Sequence, residues 1–242
     1  MLEKIKDFQL TIFGLILAIG FVFGACIVTK NMSNNNITVT GSANKIVTSD
    51  SATWKFNIQS RAATKAEAYK TIQKQLPEVK AYLKKKGIDE KNIELQLPSG
   101  YEIYKNNSNG YSTNEVIAYS YTQPIKISSD KVEIIREIST ESQTLLEKGI
   151  NIDSYSDPEF QYSDLANLKI QLLEEATKDA KARANSMLKA NRNKVGKIKN
   201  VKMGVFQITA PDSNDVADGG INDSSTVEKK VTAVANVTFS IK

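Results

Sequence analysis

SATWKFNIQSRAATKAEAYKTIQKQLPEVKAYLKKKGI, residues 51–88, changes its hydrophobic period partway along. Over 51–59 the apolar residues Ala52, Trp54, Phe56 and Ile58 fall on alternate positions, the period of a half-buried strand. Thr64 and Glu67 then stand three apart, the spacing of a capping box at a helix start. Tyr69, Ile72, Leu76, Val79 and Leu83 follow at helical spacing, and Gly87 supplies the stop. Pro77 removes one backbone donor inside this pattern, so a kink or a split is expected there.

The rest of the chain adds strands and helices, and two helix ends within it hint at a repeated helix-then-strand unit with irregular spacing. Residues 37–43 (ITVTGSA) alternate as a strand. Residues 93–105 and 115–127 read as a hairpin, with Asn109-Gly110 marking the turn. A helix is expected over 130–148, with Val132, Ile135, Ile138, Leu145 and Leu146 inward and Gly149 as its stop. Its end, Leu146-Glu-Lys-Gly-Ile, resembles Leu83-Lys-Lys-Lys-Gly-Ile. Strand-like residues 150–162 are interrupted near Pro158. The longest helix spans about 164–190, with Ser163 as cap and a stripe of Leu165, Leu168, Leu172, Ala176, Ala180, Ala184 and Leu188. Residues 195–208 and 227–241 close the chain as a strand pair, around an acidic segment 211–226 expected to be a mobile surface loop. Paired strands with short turns and segregated helices define an α+β class: antiparallel sheets with three main helices.

Ahead of this lies one uncharged stretch, residues 10–28 (LTIFGLILAIGFVFGACIV). At about 1.5 Å per residue it reaches roughly 28 Å, close to the hydrocarbon thickness of a bilayer. Ile27-Val28-Thr29-Lys30 after it does not fit a signal-peptidase site, and Phe23-Gly-Ala-Cys26 fits a lipidation signal only in part. Cleavage, acylation of Cys26 and an uncleaved anchor all remain readings of the segment. An anchor gives the organisation we expect: a cytoplasmic tail over 1–9, a transmembrane helix over 10–28, a polar spacer over 29–36 and a domain over 37–242. Lys4 and Lys6 precede the segment, so the domain is placed outside the cytoplasm, in the periplasm or at the cell surface.

Histidine is absent and Cys26 is the only cysteine. That excludes an intrachain disulfide, zinc sites built on Cys or His, Cys–His nucleophiles and Ser–His–Asp triads. The net charge of +5 is concentrated in residues 189–202, six cations without an acid. Such a run suits a solvated helix end, lipid headgroups or nucleic acid. An exported domain argues against nucleic acid as the partner.

These pieces together resemble the SIMPL-domain family of bacterial envelope proteins. The resemblance rests on ITVTGSA at 37–43, Ser49-Asp50-Ser51-Ala52, the Trp54 strand, LKKKGI at 83–88, YSYTQPIKIS within the hairpin, and EEATKDAKARANSMLKA at 174–190 leading to Val195-Gly196. It covers about 37–242. Ser49 departs from it, because relatives often carry proline there. The resemblance implies an α+β fold, export and possible self-assembly, and it supplies no catalytic residues.

Tyr101, Tyr104, Tyr111, Tyr119 and Tyr121 all fall on one hairpin. Tyr101, Tyr104, Tyr119 and Tyr121 make either a ligand platform, for instance for wall sugars, or an ordinary cross-strand aromatic cluster. Ala176, Ala180 and Ala184 let their helix face approach closely, either its own sheet or a second copy. Asp50 reads as a general base or as a turn and capping residue. Asp212, Asp215, Asp218 and Asp223 lack the alternating ligands of a calcium loop, and Gly41 and Gly219-Gly220 lack a phosphate-loop context. No cofactor or metal is expected. The chain therefore reads as a non-enzymatic envelope protein acting by binding or self-assembly, with a stress-linked role among the expectations and its protein partner unidentified. An enzyme using carboxylate or tyrosine chemistry and an exported signalling factor are the alternatives.

Overall fold

The computed structural model describes residues 13–24, 35–154 and 156–242. Residues 13–24 form helix α1, exposed along its whole length. The remainder of the expected anchor, with Cys26, the 1–9 tail and spacer residues 29–34, lies outside the described residues. Among the described residues no helix is long and apolar enough to cross a membrane.

Strands β1 (Asn36–Thr48) and β2 (Ser51–Ala62) precede helix α2 (Lys65–Lys85). Then come β3 (Ile93–Leu95), β4 (Ser99–Asn106), β5 (Ser112–Ser129), α3 (Val132–Glu141), β6 (Asn151–Asp153) and β7 (Glu159–Gln161). Helix α4 (Leu165–Lys189) leads to β8 (Val195–Met203), β9 (Gln207–Thr209), β10 (Ile221–Asn222) and β11 (Glu228–Ile241). The class is α+β with four helices; β9 and β10 pair in parallel, and β2 with β5, β6 and β7, β5 with β3 and β4, and β11 with β8 and β9 pair antiparallel. The chain divides into two compact units: unit 1 is Met1–Gly41, Thr177–Met203 and Ala235–Lys242, and unit 2 is Ser42–Ala176 and Gly204–Val234. β1, α4 and β11 each contribute residues to both.

In unit 2, β2 pairs along its length with β5, from Ala52 opposite Ser129 to Ala62 opposite Tyr119. β3 and β4 extend the sheet beyond β5, and β6 and β7 extend it beyond β2. The expected alternation holds, for Ala52, Trp54, Phe56 and Ile58 are buried with Ile125 and Ile127 beneath α2 and α3. Thr64 and Glu67 do form the reciprocal capping box, with bonds of 3.2 and 3.1 Å. Pro77 sits inside an unbroken α2. The two similar helix ends share one physical device. Gly87 (φ 93°) and Gly149 (φ 74°) turn the chain left-handed, so the Ile88 N–H reaches Leu83 and the Ile150 N–H reaches Leu145, folding both isoleucines into the core. The second helix is shorter than expected, because α3 gives way to 3-10 geometry over Ser142–Lys148.

The first hairpin strand breaks at residues 96–98, and Pro124 is the reason. Continuing the β3–β5 register sets Gln96 opposite Pro124, which has no N–H to return. Gln96 donates to the Pro124 carbonyl at 3.0 Å, and the buried Gln123 amide fills the missing place by donating to the Gln96 carbonyl at 2.7 Å.

A second core in unit 2 joins Leu168 and Leu172 of α4 to Val47, Ile208, Val231 and Ala233. Segment 211–226 lies between β9 and β11 and holds β10. The Gln207 side chain donates to the Ala217 carbonyl (2.8 Å) and accepts from the Ile221 N–H (2.9 Å), while β10 pairs with β9. The strand expected over 195–208 is thus two strands, β8 and β9.

Unit 1 has a core of smaller residues: Ala180, Ala184 and Leu188 from α4, Val39 from β1, and Ala235, Val237 and Phe239 from β11. Thr38 meets Thr238 and Thr40 donates to Asn236 across β1 and β11, an antiparallel order. On the other side, β11 pairs with β8.

Candidate functional site

The hairpin brings three of the four candidate tyrosines to one depression. Tyr101, Tyr104 and Tyr119, with Lys65, Gly100 and Glu102, line a cavity of about 350 Å³. Tyr121 is elsewhere: its ring meets Tyr69 edge-on at 5.4 Å and packs against the main core. A side chain at Gly100 would collide with the Tyr121 ring, 2.9 Å from the Cβ position, so the glycine belongs to this packing. Tyr101 stands opposite Ser120 and Tyr119 opposite Glu102, so these two rings leave their strands on opposite faces. The Tyr104 hydroxyl donates to the Glu102 carboxylate, and this bond with the neighbouring charge raises its pKa above the ordinary tyrosine value. A tyrosine held in its protonated form is a hydrogen-bond donor, not a base. Tyr111 is exposed at the hairpin tip.

Asp50 takes the turn role, holding the residue that leads into α4. Its carboxylate accepts from the Ser163 hydroxyl (2.6 Å) and the Ser163 N–H (2.8 Å), fixing the approach to α4. The hydroxyl bond is the main reason its pKa lies below the usual carboxylate value. Ser163, expected as the helix cap, is therefore committed to Asp50. Beside it, the Ser49 N–H donates to the Val227 carbonyl at 2.8 Å, a bond that a proline at this position would forfeit.

Sequence reasoning did not single out Lys229, yet it is only 4% exposed. Its ammonium donates to the carbonyls of Asp223 and Thr226, both at 2.7 Å, and lies 3.8 Å from the Asp223 carboxylate. Burial pushes the Lys229 pKa down, partly offset by Asp223. Burial also pushes Asp223 up, but hydrogen bonds from Thr226 and Ser225 and the charge of Lys229 outweigh it, leaving Asp223 low. The pair lines a cavity of about 370 Å³ with Val47, Phe160 and Ile208. Every bond it makes ties residues 223–226 down, a structural role. Of the aspartates weighed as calcium ligands, Asp215 accepts from Ser213 and Asp223 is engaged as above. Among the described residues no group of three or more Asp, Glu, Cys or His is placed to hold a metal ion.

Ala176, Ala180 and Ala184 are completely buried within the single chain. Exposed apolar surface is found instead on β8. Among the described residues this strand pairs with β11 alone, and seven of its nine residues are exposed. Ile198, Val201 and Met203 stand opposite Phe239, Val237 and Ala235, hence on the face that is buried in β11, yet they are 51%, 47% and 60% exposed. A register shift at Lys199 puts Ile198 and Val201, three residues apart, on this one face. Lys197, Lys199 and Lys202 intervene. The sequence signal for this edge is the alternation of lysine with apolar residues over VGKIKNVKM, a pattern of strands that must stay soluble while unpaired.

Charge separates along the same division. The described residues of unit 1 carry ten lysines and arginines against one acid, Asp179, which pairs with Arg183 at 2.7 Å. Unit 2 carries nineteen against twenty-four acids.

No curated protein matches the chain. Residues 37–239 match the SIMPL family, described as a protein of unknown function (DUF541). That match spans both units and nearly all of the α+β architecture, so the chain belongs to the SIMPL family.

Proposed function

We propose that this chain is a membrane-anchored, extracytoplasmic SIMPL-domain protein that works without catalysis, by binding and self-assembly in the cell envelope. The anchor is the apolar stretch 10–28, and its flanking lysines favour export of the domain. One observation carries the assembly reading: among the described residues β8 has a neighbour on one side only and an uncovered apolar row beside the core. An open strand edge accepts another chain through its unpaired backbone groups. Two copies of β8 paired face to face would oppose their lysines, whereas the acid surplus of unit 2 complements them. A head-to-tail contact, basic edge to acidic surface, is the arrangement this charge pattern supports. The non-catalytic reading draws support from the titrating groups, since Tyr104 is held protonated and Asp50 and Asp223 are held ionised by structural bonds.

The test is the mass of the full chain in mild detergent, by light scattering across concentration and salt. A defined multiple at low salt, reduced at high salt and lost in Ile198→Lys/Val201→Lys, is the expected result. A monomer at every concentration and low salt rejects assembly through this edge.

A further inference from the structure

Where the chain enters unit 1 is also where its positive charge is densest. The Asn35 carbonyl accepts from the Ile241 N–H at 2.8 Å, so the described chain begins beside the end of β11. Lys242 and Lys194 exchange two backbone bonds of 2.8 Å, closing the same end of the sheet on the β8 side. The turn from α4 to β8 lies there as well. The N–H groups of Asn191 and Asn193 reach the Leu188 carbonyl, and Arg192 adopts a left-handed φ of 56°. Lys189, Arg192, Lys194 and Lys242 are all exposed at this end, and among the described residues none forms an ion pair. The one acid in the described part of unit 1, Asp179, is ten positions back along α4, roughly 15 Å at the helical rise.

We propose that this end of unit 1 docks on anionic phospholipid headgroups of the membrane in which the chain is anchored. The proposal rests on the anchoring reading above and extends it. Residues 29–34 between the apolar stretch and Asn35 span roughly 20 Å at full extension, so the cationic end cannot stray far from the bilayer surface. Attraction between the surface and a lysine extends about 8–10 Å at ordinary salt, so a short tether keeps the four cations within or near its range. Each lysine or arginine brought to an anionic surface gains about a fivefold preference, and the four act together. The lysines of β8 run away from this end along the strand, which leaves the edge free while the end is seated.

The experiment uses the full chain mixed from detergent into vesicles of phosphatidylcholine, with or without phosphatidylglycerol. Flotation reports anchoring. Acetylation rates of individual lysines, read by mass spectrometry, report docking. With phosphatidylglycerol, Lys189, Lys194 and Lys242 are expected to react roughly fivefold more slowly, the scale of one lysine–lipid contact, with recovery at high salt. Exposed Lys131 and Lys148 of unit 2 should be unchanged. Flotation with both lipids but equal acetylation overturns the docking and leaves the anchor standing. Flotation with phosphatidylglycerol vesicles alone, with the same three lysines protected, removes the anchor and supports the lipid contact. Absence of flotation with either overturns both. Equal or stronger protection by duplex DNA than by phosphatidylglycerol vesicles rejects lipid as the occupant.

Discussion

Unit 2 and unit 1 solve the same packing problem with different materials. Unit 2 buries Trp54, Phe56, Phe160 and a set of isoleucines and leucines between a sheet and helices α2 and α3. Unit 1 buries Ala180 and Ala184 of α4 as well as Val39, Val237 and Phe239, and leaves β8 and ten cations in the open. Large side chains give unit 2 the greater share of buried area, and alanines allow close approach in unit 1 while adding little. Stability is therefore expected to reside in unit 2, and contact with other molecules in unit 1.

The largest effect should come from Trp54, which stacks on Phe56 at 4.7 Å and donates from its indole N–H to the Ser156 carbonyl at 3.1 Å. Trp54→Ala should cost about 3–5 kcal/mol in denaturant unfolding. A loss of under about 1 kcal/mol would break the claim that unit 2 holds the fold. Next is Ala180→Leu, which overfills a site with no exposure and should cost about 1–3 kcal/mol. If the variant instead stays fully stable and only its assembly mass falls, the alanine face belongs between subunits. The smallest effect sharpens the comparison by pH. Asp50 has a depressed folded pKa, so its contribution is present above the unfolded value of about 3.9 and is lost as pH falls through the folded one. Asp50→Asn should cost about 0.5–1 kcal/mol at neutral pH and remove that acid-side loss. An unaltered acid limb in stability curves would contradict the bond from Asp50 to Ser163 as a stabilising one.

Much of this was legible beforehand, and the reason is periodicity. The alternating faces of β2 and β11, the Thr64–Glu67 box and the leucine–alanine stripe of α4 each depend on residues close in sequence. The twin helix ends at Gly87 and Gly149 were visible for the same reason. The break at 96–98 was not, because it depends on Pro124 across the ladder and on Gln123 replacing its missing donor. β10 escaped notice because Gln207 holds it by side-chain bonds to residues ten and fourteen positions away. The tyrosines share a hairpin in sequence, but register sets Tyr119 and Tyr121 on the face opposite Tyr101, and the Tyr69 contact draws Tyr121 out of the depression. The lysine–apolar alternation of β8 marks an open edge, but the register shift that sets Ile198 and Val201 on one face has no local signal.

Hydrogen exchange of β8 over a range of protein concentrations tests the division of labour most directly. In the assembled chain, the amides of residues 195–203 that do not bond to β11 should gain protection as concentration rises. Those of β2 and β5, paired within unit 2 already, should be unchanged. Exchange of β8 that stays fast at every concentration, with no other unit 1 segment gaining protection, would contradict the account.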